Sequence, residues 1–402
     1  MRLPGTTRTF EAGRPQRIAA ALLLVFLLQC LWVVHQQSLT ERDYRFARCG
    51  REMWEKPSPL AGYFTTCGNI QDGTFAYRAA GLPLTLQRLM LTAADAFRKP
   101  ENRVLTGDSN ATTWEMRHEL SYVKLLLTLP FIFFGVWLGG GLWWVSRRLF
   151  GNEGGFLALA LYCFSPEVIR ACVYPNNEVL AMWGLYGVVY TAIGVAHAMQ
   201  GPRSKWRPRI LLLTLAFGLT AAAHLLAAIL GLLLSLVLML YLAGHRRGYV
   251  FQILTFTTLG ALVILFASYA FRPGAFYYIF AGGAARFWFS LDGVRHLAIS
   301  LPGAGITIAA VVALLLYAGV KRCRYFGNTT PLLVAIILLP LITTADYSQP
   351  WVWALPFIFT FIGGVFSDAL ESRQRKLFLS LLIAIVITQA TLCLASLHSL
   401  IS

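Results

Sequence analysis

Asp43 lies in the stretch TERDYRFARCGREMW (residues 40–54), a few residues beyond an apolar segment near 18–35. A carboxylate held there, partly shielded by its own loop, can take a proton from an acceptor hydroxyl as a general base. The plainer reading is a solvated Asp paired with Arg42, Arg45 or Arg48, since surface ion pairs are common. Glu178, in YPNNEVLAMW (residues 174–183), opens a later apolar segment. Capping explains it, with Asn177 as N-cap and an acid in the first turn, but an ionisable group at a membrane boundary is also a functional candidate. His224, in GLTAAAHLLAAIL (residues 218–230), falls where an apolar segment should turn back. Its imidazole could hydrogen-bond a phosphate oxygen or an acceptor, or be satisfied by backbone carbonyls. Arg170 could pair with Glu178 or meet a lipid phosphate. Residues 272–296 carry Arg286 and Arg295 among aromatics such as Phe276, Tyr277 and Trp288, which suits an interfacial belt and equally a lipid-phosphate site.

These residues must be positioned by membrane elements. The chain is 57% hydrophobic and 13% charged, against about a quarter charged in soluble domains, so it reads as an integral membrane protein. About eleven segments approach spanning length, near 18–35, 122–145, 155–173, 179–198, 209–224, 226–243, 249–271, 297–319, 330–345, 351–366 and 377–398. The expected fold is all-α and polytopic, with a basic cytoplasmic tail over 1–17 and one multi-span domain over 18–402. The first segment is read as a retained anchor, because it is long and lacks a small-residue cleavage site.

The large loop 36–120 holds ten of the eighteen acidic side chains. Leu82, Leu84, Leu86, Leu89, Met90 and Leu91 within it suggest short helices lying along the membrane surface. The net charge of +16 does not point to nucleic acid, because the basic residues recur as short clusters at alternate span ends, such as Arg147–Arg148 and Arg246–Arg247. The positive-inside rule puts those clusters and the N-terminus in the cytoplasm, and the 36–120 loop outside. Asp43, Arg170, Glu178, His224, Arg286 and Arg295 then all map to the extracytoplasmic face. Cys49 and Cys67 in the outer loop are open to a disulfide or to two free thiols. No His/Cys metal spacing is present, and Gly139–Gly141 reads as close helix packing.

The stretch RRLFGNEGGFLALALYCFSPEV (residues 147–168), followed by YPNNEV, resembles the C-type membrane glycosyltransferases, in the branch similar to dolichyl-phosphate-mannose–protein mannosyltransferases. Glu178 matches an acidic position that opens a span in that family. Asp43 matches the second member of its first-loop acidic pair, with Gly50 and Trp54 in step, and His224 a position that often holds Lys or His. WVWALPFIF (residues 351–359) is similar to a late span. Arg42 stands where the first carboxylate is expected, and Phe46 where His is often seen.

The resemblance implies inverting transfer of a hexosyl or pentosyl unit from a polyprenyl-phosphate donor to a lipid, glycan or protein acceptor outside the plasma (inner) membrane. Asp43 would be the base, with Glu178, His224, Arg170, Arg286 and Arg295 binding substrate. No cofactor is required by these residues; a divalent metal is compatible with the family. The alternatives are a catalytically degenerate relative that acts in envelope assembly, kept open by Arg42, and a lipid or solute transporter. Against the transporter stand the absence of an internal repeat and the gathering of ionisable groups at one face.

Overall fold

The computed structural model describes residues 13–55, 64, 67, 70, 73–97, 122–281, 286–319, 329–344, 349–372 and 374–401. Residues 1–12 and 98–121 lie outside the described residues. Helix α1 (Arg14–Gln36) starts with Pro15 in its first turn, where a missing N–H costs nothing, and is followed by α2 (Glu41–Glu55) and α3 (Phe75–Ala96).

The α2 and α3 helices meet through glycine. A Cβ on Gly50 would lie 2.8 Å from the Gly81 Cα, so only two bare backbones fit at this crossing. Phe46 stacks on Tyr77 at 4.3 Å, and a Cys49–Cys67 disulfide closes the segment between them. Leu82, Leu86, Leu89 and Met90 are exposed along α3 while Leu84 is buried. The sequence predicts short helices here, and the segment forms one helix of 22 residues instead.

Helix α4 (Val123–Cys163) is continuous only along the sequence. At Gly151 the backbone swings to φ 80° and ψ −176°, a region open essentially to glycine. The two arms then fold onto each other. The Tyr162 hydroxyl donates to the Gly135 carbonyl at 2.6 Å, and a Cβ on Gly155 would lie 3.0 Å from the Arg147 Cβ. This one helical run therefore doubles back on itself at Gly151, between the expected segments 122–145 and 155–173. Gly139 packs closely on Tyr162, whereas a Cβ on Gly141 would meet nothing within 4 Å, so close packing holds for the first glycine of that triplet and not the last. The second arm stops at Phe164, and Pro166 opens a separate short helix, α5 (Pro166–Val173).

The later helices are α6 (Glu178–Ala198), α7 (Arg207–Ala223), α8 (Leu225–Leu242), α9 (Arg247–Ser268), α10 (Pro273–Ala281), α11 (Asp292–Ile299), α12 (Leu301–Gly319), α13 (Thr329–Leu338), α14 (Pro350–Leu370) and α15 (Arg375–Ser396). Every residue of α14 is buried, so this helix is the centre of the bundle. It lies against α4 where a Cβ on Gly363 would come within 2.5 Å of the Gly154 carbonyl oxygen, the small-residue contact that membrane helices use in place of a hydrophobic drive.

Among the described residues seven helices are long and apolar enough to cross a bilayer, or eight counting the bent α11–α12 pair. The sequence predicts about eleven spans. Part of the difference is the α4 hairpin, counted once although its two arms fall in two of the expected segments. Another part is α7, which at 17 residues sits at the short end of spanning length. The expected segment 330–345 is different in kind: α13 has ten residues, Pro340 follows it, and Ile342–Thr344 is a strand. That strand, β2, pairs antiparallel with β1 (Phe287–Phe289), with Trp288 opposite Thr343.

Candidate functional site

Asp43 sits in the first turn of α2 and is 1% exposed. Thr40 and Asp43 form a capping box. The Thr40 N–H and hydroxyl donate to Asp43 Oδ2 at 2.8 and 2.9 Å, and the Asp43 N–H donates to Thr40 Oγ1 at 3.3 Å. The same Oδ2 accepts from Lys124 Nζ at 2.7 Å. The expected surface pairing with a nearby arginine is therefore replaced by a buried ion pair with the second pass. Arg42 instead lies over the Phe46 ring. Oδ1 of Asp43 is buried and has no hydrogen-bond partner among the described residues. One carboxylate oxygen is saturated and the other left for something else.

Lys124 also lies 5.3 Å from the centre of the Tyr174 ring, and the Tyr174 hydroxyl donates to the Leu400 carbonyl at 2.8 Å. Burial pushes the Tyr174 phenol up; the Arg170 charge opposes this and the Asp43 charge adds to it.

Glu178 has a different task. Its Oε1 accepts from the Gln349 N–H at 2.8 Å and its Oε2 from the Trp353 indole at 2.6 Å, so it fastens the start of the central helix α14. The expected Asn177 cap is not the one formed: Asn177 makes no side-chain cap bond, and the Asn176 side chain accepts the Glu178 N–H at 2.9 Å. His224 is the single extended residue between α7 and α8, and its buried ring meets the Trp353 ring edge-on at 4.9 Å. Glu178 and His224 are thus brought together by Trp353.

Arg170 pairs with Glu167, one turn earlier on α5, at 3.7 Å, rather than with Glu178. The two line a cavity of about 280 Å³ with His296, Ser300, Gln349 and Trp351. Burial pushes the Glu167 carboxyl up, against the opposing charges of Arg170 and His296. Gln349 joins this cavity to the Glu178 cluster, and Leu400, also in its wall, joins it to Tyr174 and the Asp43 pair. Arg286 and Arg295 are exposed, the first leading into β1 and the second on α11, and no described contact ties either to Asp43 or Glu178.

The sequence reading missed Lys124, Tyr174 and Trp353. A lysine at the opening of an apolar pass was a usable signal, because such a charge must find a partner. It also missed Arg78, and took Arg272 only as part of the basic and aromatic segment 272–296. Arg78 donates to the Ser268 carbonyl at 2.6 Å, tying α3 to the end of α9. Burial and the Arg272 charge both push its guanidinium down.

A divalent metal does not fit these residues. No group of three His, Cys, Asp or Glu suited to a metal ion exists among the described residues. Arg42 replaces a carboxylate, Phe46 is packed on Tyr77, and Asp43 Oδ2 is already held by an ammonium.

The architecture matches solved membrane proteins. ArnT from Cupriavidus metallidurans, solved bound to undecaprenyl phosphate, superposes with a TM-score of 0.59 at 14% identity, over 92% of this chain and 62% of that one. The archaeal oligosaccharyltransferase AglB from Archaeoglobus fulgidus, solved with an inhibitory peptide and a dolichol-phosphate, gives 0.59 at 11% identity, over 94% and 56%. This multi-pass chain has their fold. It spans less than two thirds of the length of either. No protein-family model matches the chain, and no curated protein does.

Proposed function

We propose that this protein is a membrane glycosyltransferase that moves a sugar from a polyprenyl-phosphate donor to an acceptor hydroxyl on the extracytoplasmic side of the plasma (inner) membrane. The observation that carries the proposal is the asymmetry of Asp43, with Oδ2 held by Thr40 and Lys124 and Oδ1 buried without a described partner. Oδ1 accepts the proton of the acceptor hydroxyl as that oxygen bonds to the anomeric carbon. The bond from that carbon to the phosphate oxygen breaks with its electron pair, and polyprenyl phosphate departs from the opposite face, so configuration inverts. Phosphate leaves without prior protonation when cations hold its charge.

Arg170, at the wall of the 280 Å³ cavity, is the candidate to meet an incoming polar substrate group. Glu178 and His224 act through Trp353 to place α14 beside that cavity. Arg286 and Arg295, beside the exposed Phe287, Trp288 and Phe289, serve at the lipid interface. The Cys49–Cys67 disulfide supports an oxidising, extracytoplasmic setting for α2. The lipids that copurify with the full chain test the reading: a polyprenyl-phosphate sugar supports it. Their absence, with no incorporation of sugar into any membrane fraction beyond that of an Asp43→Asn control, refutes it.

A further inference from the structure

A second groove lies at the opposite end of the bundle from Asp43. It has a volume of about 340 Å³ and runs between Leu22 of α1, the second arm of α4 and one face of α15. Phe156, Leu157, Ala160, Leu379, Ile383 and Ile387 make its walls apolar, and its charged residues are Glu153 and Arg375. From Arg375 to Ile387 the groove follows α15 for about 18 Å at 1.5 Å per residue. One leaflet of a bilayer's hydrocarbon is roughly 15 Å deep, so the groove matches a single acyl chain of a lipid standing in that leaflet. Only Gln389 and Cys393 of α15 are buried, which leaves the groove open to the bilayer.

The mouth selects the headgroup. Glu153 and Arg375 face each other at 3.5 Å, both largely exposed, a loose pair worth little by itself. A lipid bearing both a phosphate and a primary ammonium answers both signs, with phosphate oxygens accepting from the Arg375 guanidinium and the ammonium donating to the Glu153 carboxylate. A phosphatidylcholine headgroup offers Glu153 no N–H, and a phosphatidylglycerol headgroup offers it no cation. We propose that this groove binds one molecule of a phosphatidylethanolamine-type lipid, with its phosphate on Arg375, its ammonium on Glu153 and one acyl chain along α15.

The test is native mass spectrometry on the full chain in mixed micelles with equal amounts of phosphatidylethanolamine, phosphatidylglycerol and phosphatidylcholine of identical acyl chains. One phosphatidylethanolamine should survive stepwise delipidation. Glu153→Gln should cut its preference over phosphatidylglycerol about threefold, the loss of one exposed charged contact. Leu379→Trp, at an exposed position in the groove wall, should remove the retained lipid while leaving the melting temperature unchanged. Equal retention of the three lipids, retention of a polyprenyl phosphate in their place, or retention unaffected by both variants would overturn the proposal.

Discussion

Lys124 Nζ lies 2.7 Å from Asp43 Oδ2, joining the loop after the first helix to the start of the second pass across 81 residues of sequence. Both side chains are at least nine-tenths buried, at 10% and 0% exposure. A cation in such a place holds the carboxylate in one orientation and steadies its charge.

Replacing Asp43 by Asn keeps the shape and removes the base. Transfer per folded molecule should fall by about 10²–10⁴-fold, the usual worth of a positioned general base, on top of a loss of stability from leaving the buried Lys124 ammonium without its charge partner. Radiolabelled sugar incorporation in membranes, normalised to protein, measures this. Unaltered turnover would take Asp43 out of the chemistry.

Lys124→Met strands a buried carboxylate. Breaking such a pair from one side costs about 3–5 kcal/mol, so the variant should melt far below the parent at neutral pH. The deficit should shrink in acid, where the carboxyl can be neutral, and much of it should vanish in the Asp43→Asn/Lys124→Met double variant. A simple sum of the two single losses would show that the groups do not interact.

Glu167 gives a stability slope of the opposite kind. Burial raises its folded-state value above the unfolded one, near about 4.3, so the folded protein prefers the neutral acid. Stability should fall as pH rises from that unfolded value through the higher folded one, and Glu167→Gln should remove that part of the fall. Melting curves in detergent from acid to neutral pH would show it; identical slopes in parent and variant would contradict the assignment.

Glu178→Gln should loosen the start of α14. An amide can accept from one of the Gln349 and Trp353 donors and turns its own N–H₂ toward the other. A loss of about 1–3 kcal/mol is expected, together with a change in Trp353 fluorescence. An unmoved melting temperature would mean that the clamp contributes little.

The Cys49–Cys67 bridge spans 18 residues, a loop whose closure is worth about 3 kcal/mol in the unfolded chain. Cys67→Ser should lower stability by that order and make the parent's response to reductant disappear. Chemical denaturation with and without dithiothreitol provides the comparison.

The membrane class was legible in the sequence, because composition and apolar length are properties of single segments. Asp43 and Glu178 could be picked out for the same reason, each being an acid at a span boundary. Their partners could not. Lys124, Gln349 and Trp353 are distant in sequence, and only the packing of α2 on α4 and of α6 on α14 brings them in. The Thr40–Asp43 capping box was written in a four-residue spacing, yet the competing arginines beside it drew attention first. The stretch 330–345 misled because its apolar content fits a span, while Pro340 and the β-branched Ile342, Thr343 and Thr344 convert its end to strand.

The wholly enclosed α14 also bears on how the chain is made. Its slot is walled by α4, α6 and α13, all synthesised before Pro350 leaves the ribosome. Until then the α4 hairpin, whose two arms are neighbours in sequence, can pair at once, but the cleft awaiting its core must stay open to lipid or to a helper. Chains interrupted before that helix would present an unfilled seam lined with Gly154, Phe150 and Tyr186, a mark by which unfinished copies could be sorted from complete ones.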